Sequence, residues 1–293
     1  MKNMTCLRRS SAARTIPIVL TISSLFWAGT IHAQWSTGLN SENLARRAPE
    51  GSQTKMANAV GTVTRGIPGG TVLPVALRSS VSFEKCKPGQ LLLGKIAQDV
   101  PLPDGSKIRR GSTIEGHVVE TKPNAGAVGA QVTIQFDKVN MAGQWVPIVT
   151  NLRAIAGFVA VAAAQIPDEA PGEGTPYNWL PTTQIGGDTV YGVRGPVMSA
   201  DDTSKVIGRS VGDGGVLSQL RENVEAGCRG ALDDSDRPQA LWVFSAHACG
   251  IYGIEHLKIA HAGRTSPRGT IILASETQKL SLKNGDGLLL RVD

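Results

Sequence analysis

The sequence predicts an all-β protein: two small β-domains, barrel-like and then sandwich-like, with one short helix, after a signal peptide. Three observations lead to this fold class. Short apolar or alternating runs recur between clusters of Pro, Gly, Asp and Asn, as in strands joined by turns. Aromatic residues make up only 4% of the chain, so the cores must depend on Val, Ile and Leu, of which Val and Ile favour strands. A basic and then apolar leader opens the chain.

Residues 1–33 have the three-part layout of a secretory signal, with basic residues, the apolar run IPIVLTISSLFWAGTI and Ala33 before the expected cleavage point. A membrane-spanning helix needs about 20 apolar residues. This run is shorter, which favours a cleaved signal over an uncleaved anchor. We therefore expect an exported protein of the periplasm, the outer envelope or the cell exterior.

Removing this leader makes the chain nearly neutral. The whole sequence has 30 Lys and Arg against 24 Asp and Glu, and the leader holds four of the basic residues and none of the acidic ones. The remaining 26 against 24 give a net charge of +2 without a basic block, which argues against nucleic-acid binding. The sequence contains no P-loop and no dinucleotide fingerprint, so no cofactor is expected.

Residues 34–67, polar and rich in small side chains, are predicted to be a flexible lead-in. Residues 68–155 are predicted to be a small β-barrel-like domain, because five strand-like runs follow one another. These are GTVLPVALRSSVSF, GQLLLGKIAQDV, STIEGHVVET, AQVTIQFDKVNM and QWVPIVTNLRAI. Residues 156–176 begin apolar and then become rich in Pro, Gly and Glu, which predicts a linker.

Residues 177–293 are predicted to be a β-sandwich-like domain. Its strand candidates are DTVYGVRG, SKVIGRS, QALWVFSAHACGIYGI, HLKIAHAG, GTIILAS, KLSLKN and GLLLRV. The helix is predicted in GVLSQLRENVEAG, where Leu217, Leu220 and Val224 share one helical face and Gly227 can end it. In KLSLKNGDGLLLRV, Asn-Gly and Asp-Gly separate two apolar runs, which predicts a hairpin.

Cysteine use agrees with export. Cys228 and Cys249 are 21 positions apart and are predicted to form a disulfide. A loop of that length contributes about 3 kcal/mol in the chain-entropy model. Cys86 is the expected free thiol, and its neighbours Lys85 and Lys87 would favour a thiolate if the side chain is exposed.

The stretch FSAHACGIYGIEHLKIAHAGRT offers an alternative, a metal site built from His247, His256 and His261 with Cys249. Zinc sites made of Cys and His usually have two close ligand pairs separated by a connecting loop. The spacing here lacks that pattern, so we expect the disulfide and no metal.

A second alternative is a serine hydrolase, because GRSVG matches the G-x-S-x-G elbow with Ser210 as the nucleophile. Asp233, Asp234 and Asp236 and then the histidines follow in the order Ser, Asp, His. Two features argue against it: GDGG follows where an elbow would enter a helix, and the preceding runs are β-like rather than alternating β and α.

The order GTVLPVAL, KPGQLLLGKIAQDVPLPDGSKIRRGSTIEGHV and QVTIQFDKVNMAGQWVPI within residues 70–155 resembles the C-terminal β-barrel of the VirB10/TrbI family of type IV secretion channel proteins. The resemblance implies barrel turns and no catalytic residue, with Asp99 and Asp104 bonding turn backbones. Residues 177–293 resemble exported bacterial proteins of unknown function. The matching positions are Gly70, Thr71, Pro74, Pro88, Gly89, Asp99, Val100, Gly111, Ser112 and Gly116.

These observations predict a non-enzymatic bacterial envelope protein that contacts other envelope proteins in assembly, at a secretion channel or in adhesion. Membrane association is expected only through partners or an uncleaved leader, and the sequence gives no oligomeric state. A carbohydrate-binding module in residues 177–293 is a further alternative, since Trp179, Tyr191, Trp242 or Tyr252 could offer faces to sugars. The apolar run ALWVF instead places Trp242 in a core.

Overall fold

Strands form most of the protein in the computed structural model, which describes residues 66–123, 129–170, 172–176, 179–229, 235–277 and 279–293. The predicted signal peptide and nearly all of the predicted lead-in lie outside these ranges. The described residues belong to one unit, Val60–Asp293. In chain order the elements are β1 (Val72–Leu77), β2 (Val81–Ser82), β3 (Leu91–Ile96), β4 (Val100–Pro101), β5 (Lys107–Ile108), β6 (Thr113–Pro123), β7 (Ala130–Met141), β8 (Gln144–Pro147), β9 (Thr150–Ala156), α1 (Phe158–Ala163), β10 (Pro181–Thr183), β11 (Thr189–Tyr191), β12 (Pro196–Met198), β13 (Val206–Val211), β14 (Gly215–Leu220), β15 (Ser235–Ala240), β16 (Gly250–Tyr252), β17 (Leu257–His261), β18 (Ile271–Ser275), β19 (Ser281–Leu282) and β20 (Gly287–Val292).

The larger sheet has ten strands and is barrel-like and nearly closed. Its order is β16-β9-β20-β1-β3-β6-β7-β18-β17, and β8 adds to β7. Neighbours are antiparallel except β16 and β9, which run parallel. Alternation along β3 and β7 turns one side chain in two towards a core of aliphatic residues with Phe83 and Phe136.

The smaller sheet is a six-stranded antiparallel meander in the order β10-β11-β12-β13-β14-β15. A second apolar cluster joins it to the larger sheet and includes Val197 and Val216 from the meander and Val72 and Leu289 from the larger sheet. The all-β class with one short helix is therefore confirmed.

A buried glutamine also ties the two sheets together. The Gln98 side-chain carbonyl accepts hydrogen bonds from the main-chain N–H groups of Val216, at 2.8 Å, and Trp242, at 2.7 Å. The Gln98 amide nitrogen donates to the Val216 carbonyl at 2.7 Å. Gln239 of the smaller sheet makes a similar link, because its side-chain carbonyl accepts from the Val72 N–H of the larger sheet at 3.2 Å.

The structure corrects the predicted domain boundary. β20 pairs with β1 and with β9, and β18 pairs with β7, so strands from residues 68–155 and from residues 250–292 share one sheet. The predicted linker, residues 156–176, contains α1, whose Val161 is buried against the second apolar cluster. Residues 181–240 form the six-stranded sheet, whereas β16, β17, β18 and β20 join the larger sheet, so residues 177–293 are not a domain of their own.

Two local predictions were wrong. The segment predicted as a helix forms β14 instead, and β14 pairs with β13 on one side and β15 on the other. The predicted hairpin of KLSLKN with GLLLRV does not form, since β19 pairs with β2 while β20 lies between β1 and β9. The Asn-Gly-Asp-Gly stretch still makes a turn, in which Gly285 has a φ of 95°.

Candidate functional site

Several of the positions that carried the expected VirB10/TrbI resemblance lie in turns. Gly89 and Gly111 have φ angles of 80° and 84°, which glycine adopts far more readily than other residues. The Asp99 carboxylate accepts from the Arg110 N–H at 2.7 Å and forms an ion pair with Lys107. The Lys107 bond, and then the Arg110 N–H, lower the pKa of Asp99. Asp104 likewise bonds its own turn, accepting from the Ser106 N–H at 2.9 Å.

Gly116 and Ser112 also contribute to the structure of the larger sheet. The main-chain carbonyl of Ser112 accepts from the Ile96 N–H at 2.9 Å and so extends the pairing of β3 with the next turn. Gly116 lies at a register shift between β6 and β7. A Cβ on Gly116 would lie 2.1 Å from the Gln135 carbonyl oxygen, so only glycine fits there. These positions shape the barrel-like sheet and present no reactive group.

The sulfur atoms of Cys228 and Cys249 are bonded, with 6.1 Å between the Cα atoms, and both residues are buried. The Arg264 guanidinium lies 2.8 Å from the Cys228 sulfur. Cys86 is free but buried, and this burial raises the pKa of its thiol. The sequence favoured a thiolate at Cys86 only if the side chain is exposed, and the side chain is buried.

The three histidines have three different surroundings. His247 pairs with Asp201 at 3.3 Å, and His256 lies 3.8 Å from Glu276. The His261 ring instead lies 3.3 Å from the Pro267 carbonyl oxygen. Within the described ranges, no group of three or more His, Cys, Asp or Glu could hold a metal ion.

Ser210 lies inside a β-ladder and not on a nucleophile elbow. It belongs to β13, and its partner strand β14 follows after a short 3-10 turn at Gly212–Gly214. The side chain is buried, and its hydroxyl donates to the Gly192 carbonyl at 2.9 Å. The acidic candidates Asp233 and Asp234 lie outside the described residues, whereas Asp236 is exposed on β15.

One side of Ser210 faces a groove of about 300 Å³, which we call the apolar groove. It lies between the end of α1 and the strands of the smaller sheet. None of the lining residues that the structure describes is acidic, basic, histidine or cysteine, so these residues offer Ser210 no general base. The lining consists of Ala164, Gln165, Pro167, Leu180, Thr182, Val190, Gly192, Val193, Ser210, Val211, Gly214, Gly215 and Val216.

Exposed apolar side chains occur on and next to the β10–β11 hairpin, which borders the apolar groove. Val193 is 57% exposed, and Tyr191 and Trp179 are 47% and 69% exposed. Pro181 pairs with Tyr191, and the Gly192 N–H bonds the Leu180 carbonyl, so the chain positions of both aromatics meet at one end of the β10–β11 hairpin. Of the other two aromatic candidates, Trp242 is buried, and the Tyr252 hydroxyl accepts from the Cys249 N–H at 3.1 Å.

No family model matches the chain, and no curated protein matches it either. In the part of the chain that the structure describes, no helix combines the length and apolarity needed to cross a bilayer.

The sequence alone did not indicate the apolar groove. Its walls come from the segment after α1, the β10–β11 hairpin and the β13–β14 pair, which are separated along the chain and carry no chemical motif in common. The incorrect helix prediction also hid the alternation that places Val216 on the groove side of β14. The one available signal was the Val193 and Tyr191 pair in a short, glycine-flanked run.

Proposed function

We propose that the protein works in a bacterial envelope by binding another protein, and that the apolar groove holds an uncharged, apolar segment of that partner. The observation that carries the proposal is the lining of the groove, in which the described residues form mostly aliphatic walls and include no ionisable side chain. A charged ligand group would lose its hydration there without gaining a partner. Aliphatic side chains would gain from the same burial.

The size and rim of the groove fit this role. A volume of about 300 Å³ is at the lower end for ligand sites and suits a few side chains of a polypeptide. Soluble proteins rarely expose contiguous apolar surface without a use for it. Val193 lines the groove and is 57% exposed, so an apolar side chain at its edge is open to a partner.

The position of Ser210 argues for binding over hydrolysis. Its buried hydroxyl is held by the Gly192 carbonyl, and a serine nucleophile needs an adjacent base. The leader, the disulfide and the VirB10/TrbI resemblance favour an envelope location and an assembly or channel-associated role.

Paired substitutions test the proposal in a pull-down of the tagged full chain from its bacterial envelope after crosslinking. Val193→Asp places a carboxylate at the groove, whereas Val224→Asp makes the same change at a residue that is 56% exposed and does not line it. We expect an envelope protein that is recovered with the unsubstituted chain and with Val224→Asp, and is lost with Val193→Asp. Equal recovery with both variants would reject the groove as the binding site.

A carbohydrate ligand is a second candidate, favoured by the exposed rings of Trp179 and Tyr191 at one end of the β10–β11 hairpin. A glycan array with the unsubstituted chain and with Tyr191→Ala tests it. Binding that is lost in Tyr191→Ala would favour the sugar reading, and an array without binding would reject it.

A further inference from the structure

A second concave surface lies on the other side of the β13–β14 pair, against the β4–β5 hairpin. Two adjoining cavities of about 350 and 540 Å³ share Pro101 and Leu217, and together we call them the basic trough. One cavity is lined by Ala97, Gln98, Asp99, Pro101, Lys107, Arg110, Val211, Gly212, Gly215 and Leu217. The other is lined by Pro101, Leu102, Pro103, Val206, Ile207, Gly208, Arg209, Leu217, Gln219, Arg237 and Pro238.

Strand alternation separates the basic trough from the apolar groove. Ser210 and its partner Val216 line the groove, whereas Arg209 and its partner Leu217 line the trough. Successive side chains of a strand point to opposite faces, so the two surfaces lie on opposite faces of one strand pair. The two surfaces meet at Val211 and Gly215, which line both, but none of the charged residues of the trough lines the groove. An inference about the trough therefore does not depend on the proposed function of the groove.

Positive charge predominates in the lining of the basic trough. It contains Lys107, Arg110, Arg209 and Arg237, and the only carboxylate among the described lining residues is Asp99. Asp99 is already bonded to Lys107 and to a main-chain N–H. The Arg209 side chain is exposed and forms no ion pair with any carboxylate of the described residues.

The surface between these cations is apolar and rigid. Leu102 and Leu217 pack against the main core, and Ile207 is buried. Three prolines, Pro101, Pro103 and Pro238, complete the walls, and proline has a fixed φ and no N–H. A ligand that fits the basic trough must therefore carry negative charges that alternate with apolar groups.

We propose that the basic trough binds an acidic, extended peptide segment of a partner protein, with a carboxylate paired to Arg209 and apolar side chains packed on Leu217 and the prolines. The planar guanidinium groups match carboxylates well. Single-stranded nucleic acid fits less well, since it binds on aromatic platforms and none of the lining residues is aromatic. The concave shape also differs from the flat contact that a bilayer surface offers.

The test uses the full chain and a fluorescent peptide in which Glu alternates with Val and Pro, with binding measured by anisotropy at low salt. A second peptide with Gln in place of each Glu is the chemical control. We expect the Glu peptide to bind at least about tenfold more tightly than the Gln peptide, and added salt to weaken it.

Arg209→Glu should weaken binding of the Glu peptide by at least about tenfold, because it replaces an attraction with a repulsion. Arg78→Glu is the matched control, since Arg78 is also exposed and does not line the trough. Circular dichroism of each variant verifies its fold, and Arg237→Glu provides a second test of the same site. Val193→Asp should bind the peptide normally, which separates this result from any failure of the groove proposal.

Three results would overturn the inference. The first is equal binding of the Glu and Gln peptides. The second is an equal loss in Arg78→Glu and Arg209→Glu. The third is polyphosphate or single-stranded DNA binding through Arg209 more tightly than the Glu peptide, which would assign the site to a different class of anion.

Discussion

At the scale of single residues, Gln98 should contribute more to stability than its place in a loop suggests. Its buried amide bonds the main chain of Val216 and Trp242 and so joins the two sheets. Gln98→Ala should lower the free energy of unfolding by about 2 to 4 kcal/mol, because two buried N–H groups lose their acceptor. Urea denaturation measures it.

The control for this prediction is Gln144→Ala, the same change at an exposed residue of β8. It should alter the free energy of unfolding by less than about 0.5 kcal/mol. Equal effects of the two substitutions would show that the Gln98 bonds contribute little.

The buried carboxylate of Asp188 leads us to predict how the stability of the protein depends on pH. It is fully buried and accepts from the Ala200 and Ala246 N–H groups, at 2.9 and 2.7 Å, and desolvation raises its pKa above the ordinary 3.8. A raised pKa favours folding below the ordinary value, and this contribution is lost as pH rises through the raised pKa. The stability of the unsubstituted chain relative to Asp188→Asn should therefore fall as pH rises from below 3.8 towards neutrality.

Asp202 provides a control of the opposite sign. It is exposed, and the Ser204 hydroxyl and N–H lower its pKa. Its contribution is present above the ordinary pKa and is lost as pH falls, so the stability relative to Asp202→Asn should rise with pH over the same acid range. Denaturation at several pH values measures both, and parallel slopes would contradict the assignment for Asp188.

At the scale of elements, substitutions of two glycines near the start of β6 should destabilise the protein for different reasons. Gly116→Ala would drive a methyl group against the Gln135 carbonyl where β6 and β7 pair, and should cost about 2 kcal/mol or more. Gly111→Ala has open space and only a positive φ, and should cost about 1 kcal/mol. Urea midpoints compare the two, and a larger loss for Gly111→Ala would reverse this ranking.

The disulfide fastens the segment after β14 to the segment before β16. Replacing Cys228 and Cys249 together with Ser should lower the free energy of unfolding by about 3 kcal/mol, since the unfolded chain regains the entropy of an open loop. Reductant should destabilise the unsubstituted chain and Cys86→Ala, but leave the double variant unchanged. A double variant that responds to reductant would show that another thiol is involved.

The success of the sequence predictions also differs between elements. The alternation of apolar and polar residues was sufficient to predict β3 and β7 as strands, because one face of each packs on the core and the other faces outwards. It failed for β14, because Leu217 and Leu220 have the spacing of one helical face, whereas in the strand they point to opposite faces, Leu217 to the main core and Leu220 to the second cluster. Ser218 also occupies a buried position. Pairing with β13 and β15 decides between the two, and these contacts with distant residues leave no local signal. The groove and the trough could not be predicted from the sequence for the same reason, because each is lined by residues that are distant along the chain.

At the scale of the whole molecule, the pairing of early with late strands predicts that the predicted first domain cannot fold alone. A fragment of residues 66–156 retains β1 and β9 but lacks β20, which lies between them. It should show no near-ultraviolet circular dichroism and no cooperative unfolding, whereas residues 66–293 should show both. A cooperatively folded fragment would restore the two-domain interpretation.

The place of β20 also governs when the sheet can form during synthesis. One edge of β1 can pair with β3 early, but Val72 pairs with Arg291, so the other edge has no partner until nearly all the described chain is made. Contacts of such high order are slow to form and leave strand edges open on the nascent chain. A protein built this way is committed to folding after translation, and during that interval it depends on whatever keeps its unpaired strands apart.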